Sequence, residues 1–140
     1  MTSPQPAPAP TQTMTIATNN DVVKARQLVR TLAQESGLSL VEQTKLVTAA
    51  SELARNTLVH AGGGELLASR VSAAGHEGVR LVFRDDGPGI PEPDLALTDG
   101  WTSGDGMGLG LSGSRRLVDD FTLDTSLGEG TTVTVTKWAR

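Results

Sequence analysis

Asp85-Asp86-Gly87-Pro88-Gly89-Ile90 and Gly106-Met107-Gly108-Leu109-Gly110-Leu111 are the stretches whose reading decides the fold, with about fifteen residues between them. The first follows Val79–Arg84 (VRLVFR), whose alternation is that of a half-buried strand. The second runs into Ser112-Gly113-Ser114-Arg115-Arg116-Leu117-Val118, which reads as a helix start. Glycines at alternate positions let the backbone turn sharply and bring N–H groups close to a ligand. At the mouth of a helix those groups and the helix dipole favour negative charge, so the second stretch is a candidate phosphate cradle. An acidic residue at a strand end, set against such a cradle, predicts a nucleotide site.

Either glycine run alone is more often a tight connection than a binding loop. Gly108, Gly110 and Gly113 even spell GxGxxG, but Gly100–Met107 lies upstream where a dinucleotide-binding unit needs a strand. Only about thirty residues follow, too few for the rest of such a domain. No GK[ST] occurs, which excludes a Walker A loop, and the V-A-I-K, H-R-D and D-F-G set of eukaryotic-type protein kinases is missing.

A third element lies upstream. Residues 51–56 read Ser-Glu-Leu-Ala-Arg-Asn within a long apolar-periodic segment. Glu52 and Asn56 are four apart, so on a helix they share a face one turn from each other. A carboxylate and a carboxamide presented together are hard oxygen groups, suited to Mg²⁺ and to polarising a water or hydroxyl. Alone, such a pair is usually an exposed polar surface.

In order, the chain offers ELARN, DDGPGI, GMGLGL and GEGTTVTV. This set resembles the N, G1, G2 and Gly-Thr boxes of the GHKL ATP-binding superfamily. ASELARN, DGWTSGDGMGLGL, RRLVDDF and GEGTTVTVTKW are most similar to its small anti-sigma and switch kinases, above all to serine/threonine kinases of the RsbT type. The resemblance covers roughly residues 12–138.

The resemblance implies roles residue by residue. Asp85 would accept a hydrogen bond from the adenine amino group, and Gly87, Gly89 and Ile90 would carry the backbone beneath the base. Gly106, Met107, Gly108, Leu109, Gly110 and Leu111 would hold the phosphates. Asn56 would bind Mg²⁺, Thr131 would support Asp85 through water, and Glu52 would be the general base. Asp86 departs from the pattern, since many relatives carry Asn or Gln there. The implied activity is ATP- and Mg²⁺-dependent phosphorylation of a STAS-domain antagonist in a stress-signalling partner switch. A PP2C-type phosphatase or a sigma factor is the further partner. The alternatives are an RsbW-like anti-sigma kinase and an ATP-gated binding module that transfers nothing.

The rest of the chain frames these motifs. With 140 residues and 37% apolar content it suits one domain with a real core. A net charge of −4 argues against a nucleic-acid or anionic-membrane binder. The absence of cysteine excludes disulfides and thiolate metal sites. No apolar run approaches the ~18 residues of a membrane span, and no signal peptide is legible, which makes the cytoplasm the expectation.

Met1–Pro10 reads as a solvated Pro-rich tail, with residues 11–140 as a single ATP-binding domain. Thr11–Ala17 reads as an edge strand, and Asn19 or Asn20 caps a helix ended by Gly37. Ser39–Glu42 is a capping box opening a helix to about His60. His60 continues the Glu52 and Asn56 side, although a helix-end histidine bonded to the last carbonyls explains it equally well. Glu65–Ser72 and Gly78–Arg84 form a hairpin around residues 73–77, leaving His76 at an exposed tip. A short helix over 91–97 and a mobile segment over 99–105 follow; by resemblance the latter is the ATP lid. Trp101 is left between packing on the nucleotide and packing on the domain. The Ser112–Asp120 helix precedes a second hairpin, Phe121–Ser126 with Thr131–Lys137. The predicted class is α+β: a two-layer sandwich of a mixed, mostly antiparallel sheet with its helices on one face.

Overall fold

The computed structural model describes residues 11–90 and 111–140. The expectations for the tail (1–10), the 91–97 helix, the 99–105 lid with Trp101 and the phosphate loop at 106–110 fall outside these residues. In chain order the elements are β1 (Gln12–Ile16), α1 (Asn19–Glu35), α2 (Leu40–Ala61), β2 (Gly64–Ala73), β3 (His76–Asp85), α3 (Leu111–Leu117), β4 (Asp120–Ser126) and β5 (Gly130–Trp138).

The five strands form one sheet in the order β1-β2-β3-β5-β4, and every pairing is antiparallel. The fold is the expected α+β sandwich, with β3 and β4 parallel in direction but separated by β5. Strand alternation sends Leu66, Ala68, Val79, Leu81, Phe83, Val133 and Val135 into the core. From the helical layer Ala25, Val29, Leu32, Leu46, Ala50 and Leu53 meet them at helical spacing. Each large apolar side chain buried here contributes about 1.5–3 kcal/mol. On the opposite face Glu65 and Arg84 are cross-strand partners and form an ion pair.

Both long helices start on capping boxes. Before α2, the Ser39 N–H donates to Glu42 Oε1 at 2.8 Å and the Glu42 N–H donates to Ser39 Oγ at 3.1 Å. Before α1 the cap is Thr18, not Asn19 or Asn20, because Asp21 closes the box by accepting from the Thr18 N–H. Gly62, left-handed at φ 75°, ends α2. Ala49, Ala50 and Ala54 are fully buried and let α2 lie close in the core. No helix among the described residues is long and apolar enough to cross a membrane.

Two boundaries differ from expectation. Helix α3 stops at Leu117, and Asp120 already belongs to β4. Asp119 between them accepts from the Trp138 N–H at 2.7 Å and pairs with Lys137 and Arg140, tying the end of β5 to this corner. Burial alone would raise the Asp119 carboxyl, but the Trp138 N–H, Arg140 and Lys137 outweigh it and hold the group below its usual range.

The β2–β3 connection is shorter than the five residues expected, since Ala73 pairs with His76 and only Ala74 and Gly75 remain. Both have positive φ, 52° and 80°, as a two-residue primed turn requires. Exposed His76 sits at the tip, as the sequence predicts. A left-handed alanine costs on the order of 1 kcal/mol. Replacement by a residue that tolerates this region, Ala74→Asn, should raise stability by about that amount. Urea denaturation monitored by circular dichroism checks it, and an unchanged or lowered midpoint would count against the turn assignment.

Candidate functional site

The sheet and α2 enclose a cavity of about 210 Å³ at the C-terminal end of β3. Its apolar lining comes from Leu53 of α2, Phe83 of β3, Val133 of β5 and Leu111 of α3. Its polar lining comes from Asn56, Thr57 and His60 of α2, Asp85 of β3 and Thr131 of β5. An apolar chamber with a few convergent polar groups is the usual form of a small-molecule site.

Asp85 is the last residue of β3 and the direct cross-strand partner of Thr131. Its Oδ1 accepts from the Gly87 N–H at 2.9 Å, which turns the chain out of the sheet immediately after the carboxylate. The 86–90 loop is then held on two sides. On one side Gly87 lies so close to α2 that a Cβ there would sit 2.6 Å from that of Ala61. On the other, the Gly128 N–H donates to Pro88 O and the Ile90 N–H donates to Thr125 Oγ1, both at 2.9 Å. Gly130, at φ 94°, passes against the Asp85 carbonyl where no side chain fits. Asp86 is exposed to solvent.

Of the residues singled out from sequence, Asn56, Asp85, Gly89, Ile90, Leu111 and Thr131 are brought together on this cavity. Gly87 supports the loop from outside the lining. Glu52 lies one turn before Asn56 on α2, outside the lining and 40% exposed, with Arg55 Nη1 at 3.2 Å from its Oε1. Gly106, Met107, Gly108, Leu109 and Gly110 are outside the described residues.

His60 does line the cavity, and its Nε2 is buried without a hydrogen-bond partner among the described residues, whereas the C-terminal carbonyls of α2 are capped by the Gly62 and Gly63 N–H groups. Sequence reasoning did not single out Phe83, Pro88, Ala61 or Val133 as cavity walls, although each flanks a motif. It also passed over Thr125, whose only signal is a threonine on the outer strand opposite Thr131.

These features fit a purine nucleotide. A chamber walled by apolar side chains and glycine backbone suits a base, and a carboxylate at its edge, Asp85, would accept from an amino donor. Asn56 carries a carboxamide oxygen of the kind a magnesium ion could take, and His60 Nε2 has no hydrogen-bond partner among the described residues.

Residues 41–140 match the family of histidine kinase-, DNA gyrase B- and HSP90-like ATPases, and the chain belongs to that family, the GHKL ATPases. Within it the chain falls among the small anti-sigma and switch kinases. It is 42% identical over 125 residues to the serine/threonine-protein kinase RsbT of Bacillus subtilis strain 168, spanning 89% of this chain and 94% of that one. The anti-sigma F factor of Bacillus licheniformis is 30% identical over 120 residues, 81% of each chain. Among solved structures, the RsbU and RsbW domains of a Mycobacterium tuberculosis protein superpose with a TM-score of 0.66 at 25% identity, covering 96% of this chain. The chain spans about a third of that longer protein, 34%. The catalytic domain of the histidine kinase ThkA shares the fold, with a TM-score of 0.53 at 15% identity over 90% of this chain and 95% of that one.

The contact of Gly87 with Ala61 yields a direct test. Gly87→Ala must push the 86–90 loop off α2, and overpacking of this kind costs about 1–3 kcal/mol. Urea denaturation of the parent and the variant measures it; equal midpoints would mean that the loop does not rest on the helix.

Proposed function

We propose that this chain is an ATP-dependent protein serine/threonine kinase of the switch type, whose substrate is a STAS-domain antagonist in a stress-signalling partner switch. The observation that carries the reading is the placement of Asp85, Thr131 and Asn56 on one cavity with Glu52 a single helical turn beyond. The likeness to RsbT supports protein phosphorylation as the use of that cavity.

In this reading the adenine lies in the slot between the 86–90 loop and the apolar floor, with its amino group on Asp85. The phosphates run along α2 toward Glu52 and are held by the 106–110 glycines. Asn56 would hold a magnesium ion, which supplies charge neutralisation to the phosphates. Glu52 takes the proton of the incoming serine or threonine hydroxyl as its oxygen attacks the γ-phosphorus. The bond to the β-phosphate oxygen breaks, and ADP leaves. The protein's share of this chemistry is positioning and electrostatics. Arg55, bonded to the Glu52 carboxylate, orients it at the surface where a protein substrate arrives. Release from the antagonist would free the kinase for a PP2C-type phosphatase, in the cytoplasm.

The likeness to an anti-sigma F factor favours one further reading, in which the same ATP-bound surface sequesters a sigma factor in the manner of an RsbW-like kinase. A binding module that holds ATP without transferring it has no need for Glu52.

Two substitutions separate these readings. Asn56→Ala should weaken Mg-ATP binding and phosphorylation together. Glu52→Gln should bind ATP and its protein partner like the parent while phosphorylating about 10²-fold more slowly, the lower end of general-base contributions. The experiment is incubation with γ-labelled ATP, Mg²⁺ and a STAS-domain protein, with calorimetry on the same samples. A parent that binds both but labels no serine or threonine would be a binding module. Unchanged labelling by Glu52→Gln would leave the kinase and remove Glu52 as its base.

A further inference from the structure

A second hollow, of about 400 Å³, is a groove between α1 and α2 that no strand lines. Val23, Arg26, Gln27, Arg30 and Gln34 line it from α1, all on one face of that helix. Val47 supplies the α2 wall. Leu40, two turns before Val47 and on the same side of α2, is 71% exposed, and Val23 is 46% exposed. The chain has a net charge of −4, yet this lining holds two arginines and no acidic residue. Neither arginine forms an ion pair among the described residues.

The spacings within the groove are those of a helix. Arg26 and Arg30 are about 6 Å apart along the α1 axis, and Leu40 and Val47 about 10.5 Å apart along α2. An amphipathic helix laid in the groove matches both, with carboxylates one turn apart on the arginines and apolar side chains two turns apart on the α2 wall. The position of the groove on α2 says what kind of partner this is. Glu52 and Asn56 lie five and nine residues past Val47, about 140° and 180° around the helix. A protein seated in the groove therefore leaves the nucleotide cavity open and approaches α2 from the flank away from Glu52. A phosphoryl acceptor must reach Glu52, whereas a partner that is bound without being phosphorylated need not.

We propose that this groove is a second protein-docking surface, which takes an acidic amphipathic helix of a partner that is not phosphorylated. In the switch-kinase reading, on which this assignment rests, that partner is the PP2C-type phosphatase.

The test uses the full chain with the PP2C-type phosphatase and the STAS-domain antagonist from the same organism. Phosphatase binding, Mg-ATP binding and antagonist phosphorylation are measured for the parent, Arg26→Glu/Arg30→Glu and Val23→Asp. Thermal melting reports folding, and Arg26→Gln/Arg30→Gln replaces any variant that does not fold. Charge reversal should weaken phosphatase binding roughly tenfold or more, with ATP affinity and antagonist phosphorylation as in the parent. Added salt should weaken the parent's binding more steeply than that of the reversed variant. A folded variant that binds the phosphatase like the parent would overturn the inference, as would a parent that does not bind it. Loss of antagonist phosphorylation with phosphatase binding intact would give the groove to the substrate instead. A parent that sediments as a dimer and is dissociated by the reversal would give it to a second copy of this chain, and either result overturns the assignment. A parent that binds no ATP and labels no antagonist would sink the kinase reading, while phosphatase binding still decides the groove.

Discussion

The hydrogen bond from the Gly87 N–H to Asp85 Oδ1 is the constraint on which the rest of the site depends. It fixes the carboxylate at the point where β3 leaves the sheet and sends the following loop sideways instead of onward. The loop it starts is caught between Ala61 at the end of α2 and the turn of the β4–β5 hairpin. Residues 56, 85 and 131, far apart in sequence, therefore meet on one cavity. β3 lies between β2 and β5, so the strand that carries Asp85 is paired on both sides.

Polar groups in this cavity act against an apolar background. Leu53, Phe83, Leu111 and Val133 are nearly fully buried and give the chamber a dry floor. A hydrogen bond to Asp85 formed there competes with less water than one on the surface and discriminates more strongly against a wrong partner. The exposed ion pairs contribute differently. Glu52 with Arg55 and Glu65 with Arg84 are solvated, and such pairs are worth about 0–1 kcal/mol. Stability comes from the apolar core, whereas Glu52 keeps its carboxylate at the surface.

Much of this is legible in the sequence because it is written in local signals. The Ser39–Glu42 box, the αL glycine at 62 and the alternation through Val79–Phe83 each fix an element by its own chemistry. The four glycine and Asn-box motifs, taken in order, are enough to assign Asp85, Asn56 and Thr131 to one site. What the sequence hides depends on contacts between distant segments. Thr125 is an ordinary strand threonine until register puts it opposite Thr131 and beside Ile90. The early stop of α3 follows from Asp119 finding Trp138, Lys137 and Arg140 across the sheet. Thr18 outcompetes the asparagines as a cap because Asp21 reaches back to it, a short-range signal that a search for Glu or Gln passes over.

The family fold supplies the sandwich, and the chain's own residues decide what its cavity accepts. Everything claimed for that cavity converges on the Asp85 carboxylate facing an amino group of the nucleotide. Calorimetric titration of Mg-ATP into the parent protein and Asp85→Asn tests this most directly, because the substitution keeps the shape and replaces an acceptor-only group with one that also donates. The account predicts binding weakened by about 1–3 kcal/mol in the variant, the loss of one charge-assisted hydrogen bond. Equal affinity in the two proteins would take Asp85 out of the site and contradict it.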